Sequence, residues 1–347
     1  MKKKLFGLSI LLIVYLLGVA IGVFGYIAFS NIGLNDYLAV LFADVIATVF
    51  VWLMGVIFRT ASMYDPYWSV QTLVMYLGLL IKYQNWNAGT IALLIVIAIY
   101  SIRLTGNFII GFDSLSYVDW RYKMLKTKSG NLYQFVNLFG ICLFPTMVVY
   151  ACSLPVIVFA AEGAFSFWCI IGLAIALSGI LLEFVSDMQM KKFARIRSSR
   201  GEVINIGLWK YSRHPNYLGE ITIWFGIALT LIFCNFSYWY LIFGAVINLL
   251  MFLFISIPME EKHLKEYKED YGIYLENTSP LLILPRRKKD EKTKEQNNLE
   301  NWVAYWLLFF PIWQDLIQEI TATTIKTAFP RTLPQKGRLY FQLFLLL

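Results

Sequence analysis

The chain has 347 residues, of which 59% are hydrophobic, 17% aromatic and only 15% charged, and its mean hydropathy is +0.61. A soluble domain carries roughly 25% charged residues, so this chain has too little polar surface to cover a water-exposed fold, and a soluble enzyme is excluded. The net charge of +8 does not signal nucleic acid either, because the Lys and Arg residues fall in short segments between apolar runs, where they read as orientation signals.

The apolar runs are continuous, as in Ala88 to Tyr100, unlike the alternating segments of about 10 residues that a membrane barrel shows. The sequence therefore predicts an all-α fold, a polytopic bundle of about eight transmembrane helices at roughly 5–29, 37–58, 66–82, 88–106, 134–160, 165–186, 219–234 and 238–257. The first run follows Lys2-Lys3-Lys4 and has the form of a signal peptide. It is longer than an h-region of 7–15 residues and lacks a small-x-small cleavage site, so it reads as a retained helix whose Gly18, Gly22 and Gly25 serve close packing. An even number of crossings puts both termini in the cytosol, together with segments 107–133 and 187–218. These hold basic clusters such as Arg121, Lys123, Lys126 and Lys128, whereas the opposite connections (30–36, 83–87, 161–164, 235–237) are nearly free of Lys and Arg. Cys142, Cys152, Cys169 and Cys234 lie inside apolar spans without a CxxC pair and read as small buried hydrophobes rather than a metal site or disulfide. The chain divides into N-terminal transmembrane helices (1–58), a membrane domain (59–286), a polar linker (287–301) and a hydrophobic to amphipathic tail (302–347) with no assigned role, best read as interfacial.

No strand-turn-helix Gly fingerprint, HExxH, CxxC or nucleophile elbow occurs in the sequence, so no Rossmann domain and no metal centre are expected. The informative segment is 186–228, where polar residues are denser than topology requires. Arg195, Arg213 and His214 have the charge to neutralise phosphates, Asn216 to bond an amide or ribose, and Tyr217 and Trp224 to stack on rings. Glu220 begins a span, where an acid is expensive and marks a functional site by default. An interfacial loop with snorkelling bases and an aromatic belt accounts for the same composition, and these residues alone leave the two readings open. Asp44, midway along the second span, reads first as a helix-packing hydrogen bond and second as a catalytic acid.

At these same residues the sequence resembles the steroid 5α-reductase family of membrane reductases, especially its bacterial DUF1295-type branch. The resemblance is carried by Ser186-Asp187, the basic helix end through Arg195, Gly201-Glu202, Gly207-Leu208-Trp209, the run Tyr211 to Glu220 (YSRHPNYLGE) and Trp224. It continues through Pro258 to Glu261, Tyr267, Asp270-Tyr271, Tyr274 and Ile283-Leu284-Pro285, and covers roughly 60–286. Upstream, Tyr64 to Ser69 resembles the branch's Asp-x-x-Trp signature, Tyr100 stands three residues before Arg103 on one helix face, and Asp119-Trp120-Arg121-Tyr122 resembles a further motif of the branch, read either as a lid or cofactor contact or as a plain loop turn.

The resemblance implies NADPH bound on the cytosolic side by Asp187, Arg195, Asn216, Tyr217, Glu220 and Trp224, with Arg103, Arg213, His214, Glu261 and Tyr271 as further contacts. Asp65 and Tyr100 take the places of the acid and Tyr that hold a substrate carbonyl in that family, with Asp standing where Glu is usual. The implied enzyme is an NADPH-dependent oxidoreductase of a bacterial inner membrane or the endoplasmic reticulum. It reduces a carbon–carbon double bond conjugated to a carbonyl in a lipid-soluble, steroid-like or isoprenoid substrate, with membrane lipids as its other partners and no nucleic acid. The alternative is a membrane methyltransferase of the isoprenylcysteine carboxyl type using S-adenosylmethionine, which shares the Arg-His-Pro-x-Tyr-x-Gly run and the Glu-Glu, Tyr, Tyr, Pro ending. A non-catalytic membrane scaffold is a third.

Overall fold

Short polar turns cut the apolar runs into helices. α1 spans Lys2–Asn31; α2 (Asp36–Ile57) starts at Asn35, whose side chain accepts from the Leu38 N–H at 3.0 Å. α3 is Tyr67–Tyr83, and α4 (Ala88–Gly111) starts in a capping box between Asn87 and Thr90. α5 (Trp120–Ser129) and the single turn α6 (Tyr133–Val136) lead through a π-helical stretch, Asn137–Leu143, into α7 (Phe144–Glu162). α8 is Cys169–Ile196, and α9 (Pro215–Cys234) opens on a proline, whose missing N–H costs nothing in a first turn. α10 (Phe243–Met251) passes through a second π stretch, Phe252–Ser256, into α11 (Ile257–Tyr267), and α12 (Tyr271–Asn277) follows. This computed structural model describes residues 2–286, so the expected linker and tail lie outside the described residues.

The described chain is an all-α polytopic bundle. Seven stretches are long and apolar enough to cross a bilayer: α1, α2, α4, Trp120–Glu162, α8, α9 and Phe236–Tyr267. The remaining expected span is α3, whose 17 residues give about 25 Å of helix. Contacts between ends show that the helices alternate in direction. At the basic end Lys4 of α1 donates to Ile110 O of α4 at 3.2 Å, while at the opposite end Tyr26 of α1 and Lys82 of α3 both bond Asp36 at the start of α2. Large apolar side chains such as Phe24, Ile102 and Leu181 point outward and are mostly exposed, as a lipid-facing surface requires.

α8 and α9 pack closely along their length. A Cβ on Gly172 would lie 2.4 Å from Thr230 N, on Gly226 2.3 Å from Ala176 N and on Gly219 2.6 Å from Glu183 Cβ, so the two backbones meet only because these positions carry no side chain. The small residues of α1 behave as expected, Gly22 and Gly25 facing Ala47 and Ala43 of α2. The cysteines are a correction: Cys169 and Cys234 pair as a disulfide joining the start of α8 to the end of α9, across 65 residues of sequence that give no spacing signal. Cys142 and Cys152 are free and buried, as expected.

Candidate functional site

The chain between α8 and α9 is held as a shaped wall rather than a loose loop. Trp209 Nε1 donates to Ser186 O at 3.0 Å and Leu208 N to Gln189 Oε1 at 2.9 Å, which folds residues 204–214 back onto α8. From the other side, Arg213 N donates to Ser279 O at 2.9 Å, Ser212 Oγ to Leu281 O at 2.7 Å and the Tyr274 hydroxyl to Trp209 O at 2.5 Å. The result is a cavity of about 810 Å³ at the basic end of the bundle, bounded by α3, α4, α5, α8, α9, α11 and α12.

Most of the residues expected from sequence meet in this cavity: Asp65, Asp187, Arg213, His214, Asn216, Tyr217, Glu220, Trp224 and Tyr271 all line it. Glu261 stands behind them and accepts from Arg213 and His214, both at 3.2 Å. Tyr217 lies between His214, stacked at a centroid distance of 5.1 Å, and Phe252 at 4.7 Å. Several buried polar atoms on the cavity wall have no partner in the described residues, among them Arg213 Nε, Asn216 Oδ1 and the Tyr271 hydroxyl. Buried polar atoms are almost always paired, so these are places where a polar ligand belongs.

The deeper wall is a connected set of charges. Tyr100, fully buried, donates to Glu220 Oε1 at 2.7 Å, and Trp224 Nε1 donates to the same oxygen at 2.7 Å. Arg103, one turn along α4, pairs with Glu183 at 2.5 Å and with Asp187 at 3.0 Å, and Asn107 adds a bond to Asp187 at 3.1 Å. Tyr100 and Arg103 therefore do share one helix face, but it is turned toward α8 and α9 rather than into the cavity.

Three expectations change. Asp65 and Tyr100 do not form a pair: Asp65 accepts from the Tyr122 hydroxyl, and Tyr100 belongs to Glu220. Arg195 is exposed at the end of α8 and does not line the cavity; its near neighbour Arg197, beyond the helix end, does, together with buried Lys268. Arg103 is committed to the two carboxylates of α8. Asp44 is closed within helix packing, accepting from Tyr67 at 2.8 Å and Gln71 at 2.6 Å.

Glu183 was not anticipated, although an acid inside an apolar span is itself a signal. Tyr122 lies in the noted Asp119 to Tyr122 motif, but its pairing with Asp65 spans 57 residues and leaves no local trace. Asp65 lies in the connection before α3, outside the spanning helices; burial pushes its carboxyl up to about 7, partly opposed by the hydroxyl of Tyr122. A carboxyl of that strength is available both as acid and as base near neutrality.

Residues 51–278 match a family described as protein of unknown function, DUF1295. A Schizosaccharomyces pombe protein, described as uncharacterized protein C594.04c, is 24% identical over 225 residues, which cover 56% of this chain and 64% of the relative. The chain thus spans under two thirds of that relative's length. No solved structure matches the chain. The family match takes in most of the chain and the whole cavity wall from Tyr64 to Tyr274, and the protein belongs to the DUF1295 family.

Proposed function

We propose that this protein is an NADPH-dependent membrane oxidoreductase that reduces a carbon–carbon double bond conjugated to a carbonyl in a lipid-soluble substrate. The observation that carries the reading is the cavity itself, which joins unpartnered, buried Arg213, Asn216 and Tyr271 atoms to a carboxyl, Asp65, that titrates near neutrality. Arg213 Nε and the Tyr271 hydroxyl suit phosphate or ribose oxygens, and Asn216 Oδ1 suits an amide or hydroxyl donor, so the residues fit a dinucleotide. Arg197 and Lys268 add positive charge along the same wall. When bound, the cofactor supplies a hydride.

The protein's own groups then have defined tasks. Protonated Asp65 donates to the carbonyl oxygen and stabilises the negative charge that grows there, with Tyr122 as the positioning residue that fixes its carboxyl. Tyr217 and Trp224 provide flat apolar walls for rings. The positive-inside asymmetry supports the basic end as the cytosolic end, with the cofactor mouth on the cytosolic side of a bacterial inner or endoplasmic-reticulum membrane and the lipid-facing flank left for substrate.

The test is titration of purified protein with NADPH and, separately, with S-adenosylmethionine, followed by tryptophan fluorescence. Saturable binding of NADPH alone supports the reductase. Binding of S-adenosylmethionine alone supports the methyltransferase, and binding of neither refutes both.

A further inference from the structure

Glu183 of α8 and Glu220 of α9 are brought together by the glycine contact between those helices, Gly219 lying directly against the Glu183 side chain. The two carboxyl groups are within hydrogen-bonding reach of each other. Oε2 of each has no partner among the described residues, as expected where two carboxylates, both acceptors, are neighbours with no donor between them. Both residues are buried, at 6% and 5% exposure. Arg103 supplies one positive charge and divides it between Glu183 and Asp187. Glu220 receives only neutral donors, Tyr100 and Trp224. The groups facing the pair are Tyr100 and Arg103 of α4, Cys152 of α7, Asp187 of α8 and Trp224 of α9, with Lys191 of α8 near Asp187. Three acids thus share one guanidinium in a water-poor site, where two carboxylates in contact cannot both be ionised.

We propose that Glu183 and Glu220 hold one proton between their Oε2 atoms at neutral pH, and that this buried pair is the proton store of the cavity. Both side chains line that cavity, so the stored proton is within it. The second half of the proposal rests on the reductase reading given above. A reduced nicotinamide nucleotide held by the cavity wall would supply the hydride to the β carbon, giving an enolate; as the carbonyl re-forms, the enolate's C=C electron pair takes the proton at the α carbon and the pair's O–H bond breaks. The nucleotide would be oxidised and the alkene reduced, and a proton relayed from bulk water through the cavity would replace the one lost as it leaves, so that Glu183 and Glu220 are not left charged together. Neither Glu183 nor its partnership with Glu220 can be seen in the spacing of the chain, since 37 residues separate them.

Infrared spectroscopy of the purified protein in lipid, at neutral pH and without any ligand, tests the store directly. With glutamate ¹³C-labelled, the wild-type protein is expected to show a protonated-carboxyl band that shifts with the label and in D₂O. Asp44→Asn, Asp65→Asn and Glu260→Gln should keep that band, whereas Glu183→Gln and Glu220→Gln should each lose it. The labelled wild-type measurement needs no variant to fold: absence of a protonated glutamate band overturns the proposal, as does a band that survives both substitutions. NADPH titration of the same samples separates the two ideas. The band without NADPH binding upholds the proton pair and refutes the reductase, and NADPH binding without the band does the reverse.

Discussion

Tyr100→Phe removes one hydroxyl and nothing else, so its effect can be worked from the structure. The hydroxyl is fully buried and donates at 2.7 Å to Glu220 Oε1, a hydrogen bond to an acidic group of the kind that contributes about 1.5–3 kcal/mol. Trp224 keeps its own 2.7 Å bond to the same oxygen, so Glu220 is not stripped bare and the loss belongs in the lower part of that range, about 2 kcal/mol, or roughly 30-fold in the folded-to-unfolded ratio. The ring stays against Trp224, 5.6 Å between centroids, which leaves the packing contribution intact. Equilibrium unfolding in mixed micelles measures this difference. In a double-mutant cycle with Trp224→Phe the two losses should not add, because both donors act on one oxygen. A Tyr100→Phe protein within about 0.5 kcal/mol of wild type, the range of an ordinary surface substitution, combined with strictly additive behaviour in the cycle, would refute the assignment of this hydroxyl to Glu220.

Other outcomes follow from the same geometry. Asn216→Ala and Arg197→Ala should each weaken NADPH about ten-fold, while Arg195→Ala, whose side chain is exposed away from the cavity, should change it less than three-fold; binding isotherms of the three variants check this. Burial holds the Asp65 carboxyl above its ordinary range, at about 7, so the folded state binds this proton more tightly than the unfolded chain. Its contribution to stability is then full below pH ~4 and is lost as pH rises to about 7, and Asp65→Asn should flatten the unfolding-versus-pH curve across that window. Gly226→Leu drives a side chain into the Ala176 backbone, where even a Cβ would stand at 2.3 Å, and should destabilise by at least the 1–3 kcal/mol typical of overpacking, seen as loss of monodisperse protein. Single cysteines at positions 34 and 128, probed with an impermeant thiol reagent from each side, should label from opposite faces, position 128 from the cytosol.

The bundle was legible because lipid leaves little choice: a run that cannot satisfy its backbone with water must be helical, and continuous runs such as Ala88 to Tyr100 declare themselves. The cavity wall at 204–220 was legible for a related reason, since polar residues packed between two apolar helices need partners. What escaped was tertiary in origin. Arg195 and Arg197 differ by two positions, and which of them enters the cavity depends on α8 ending at Ile196, a boundary that sequence fixes only to within a residue or two. The shared face of Tyr100 and Arg103 was read correctly, but the helices it meets were not, because Glu183 and Glu220 come from distant parts of the chain. The bond from Tyr122 to Asp65 and the disulfide of Cys169 with Cys234 are likewise meetings that only the assembled bundle brings about.

The shortness of α3 has a consequence for the interior of the bundle. Its roughly 25 Å of helix falls about 5 Å short of a typical hydrocarbon core, and its first turn, preceded by the tight Ala61–Met63 turn and by Asp65, lies at the cavity rather than out among the headgroups. Its exposed residues, Leu77, Gly78 and Ile81 to Tyr83, lie at the end away from the cavity, whereas 67–76 are buried or half-buried by neighbouring helices. The depth missing from this span is thus taken up inside the bundle, where Asp65 and the cavity stand at a level that a full-length span would fill with helix.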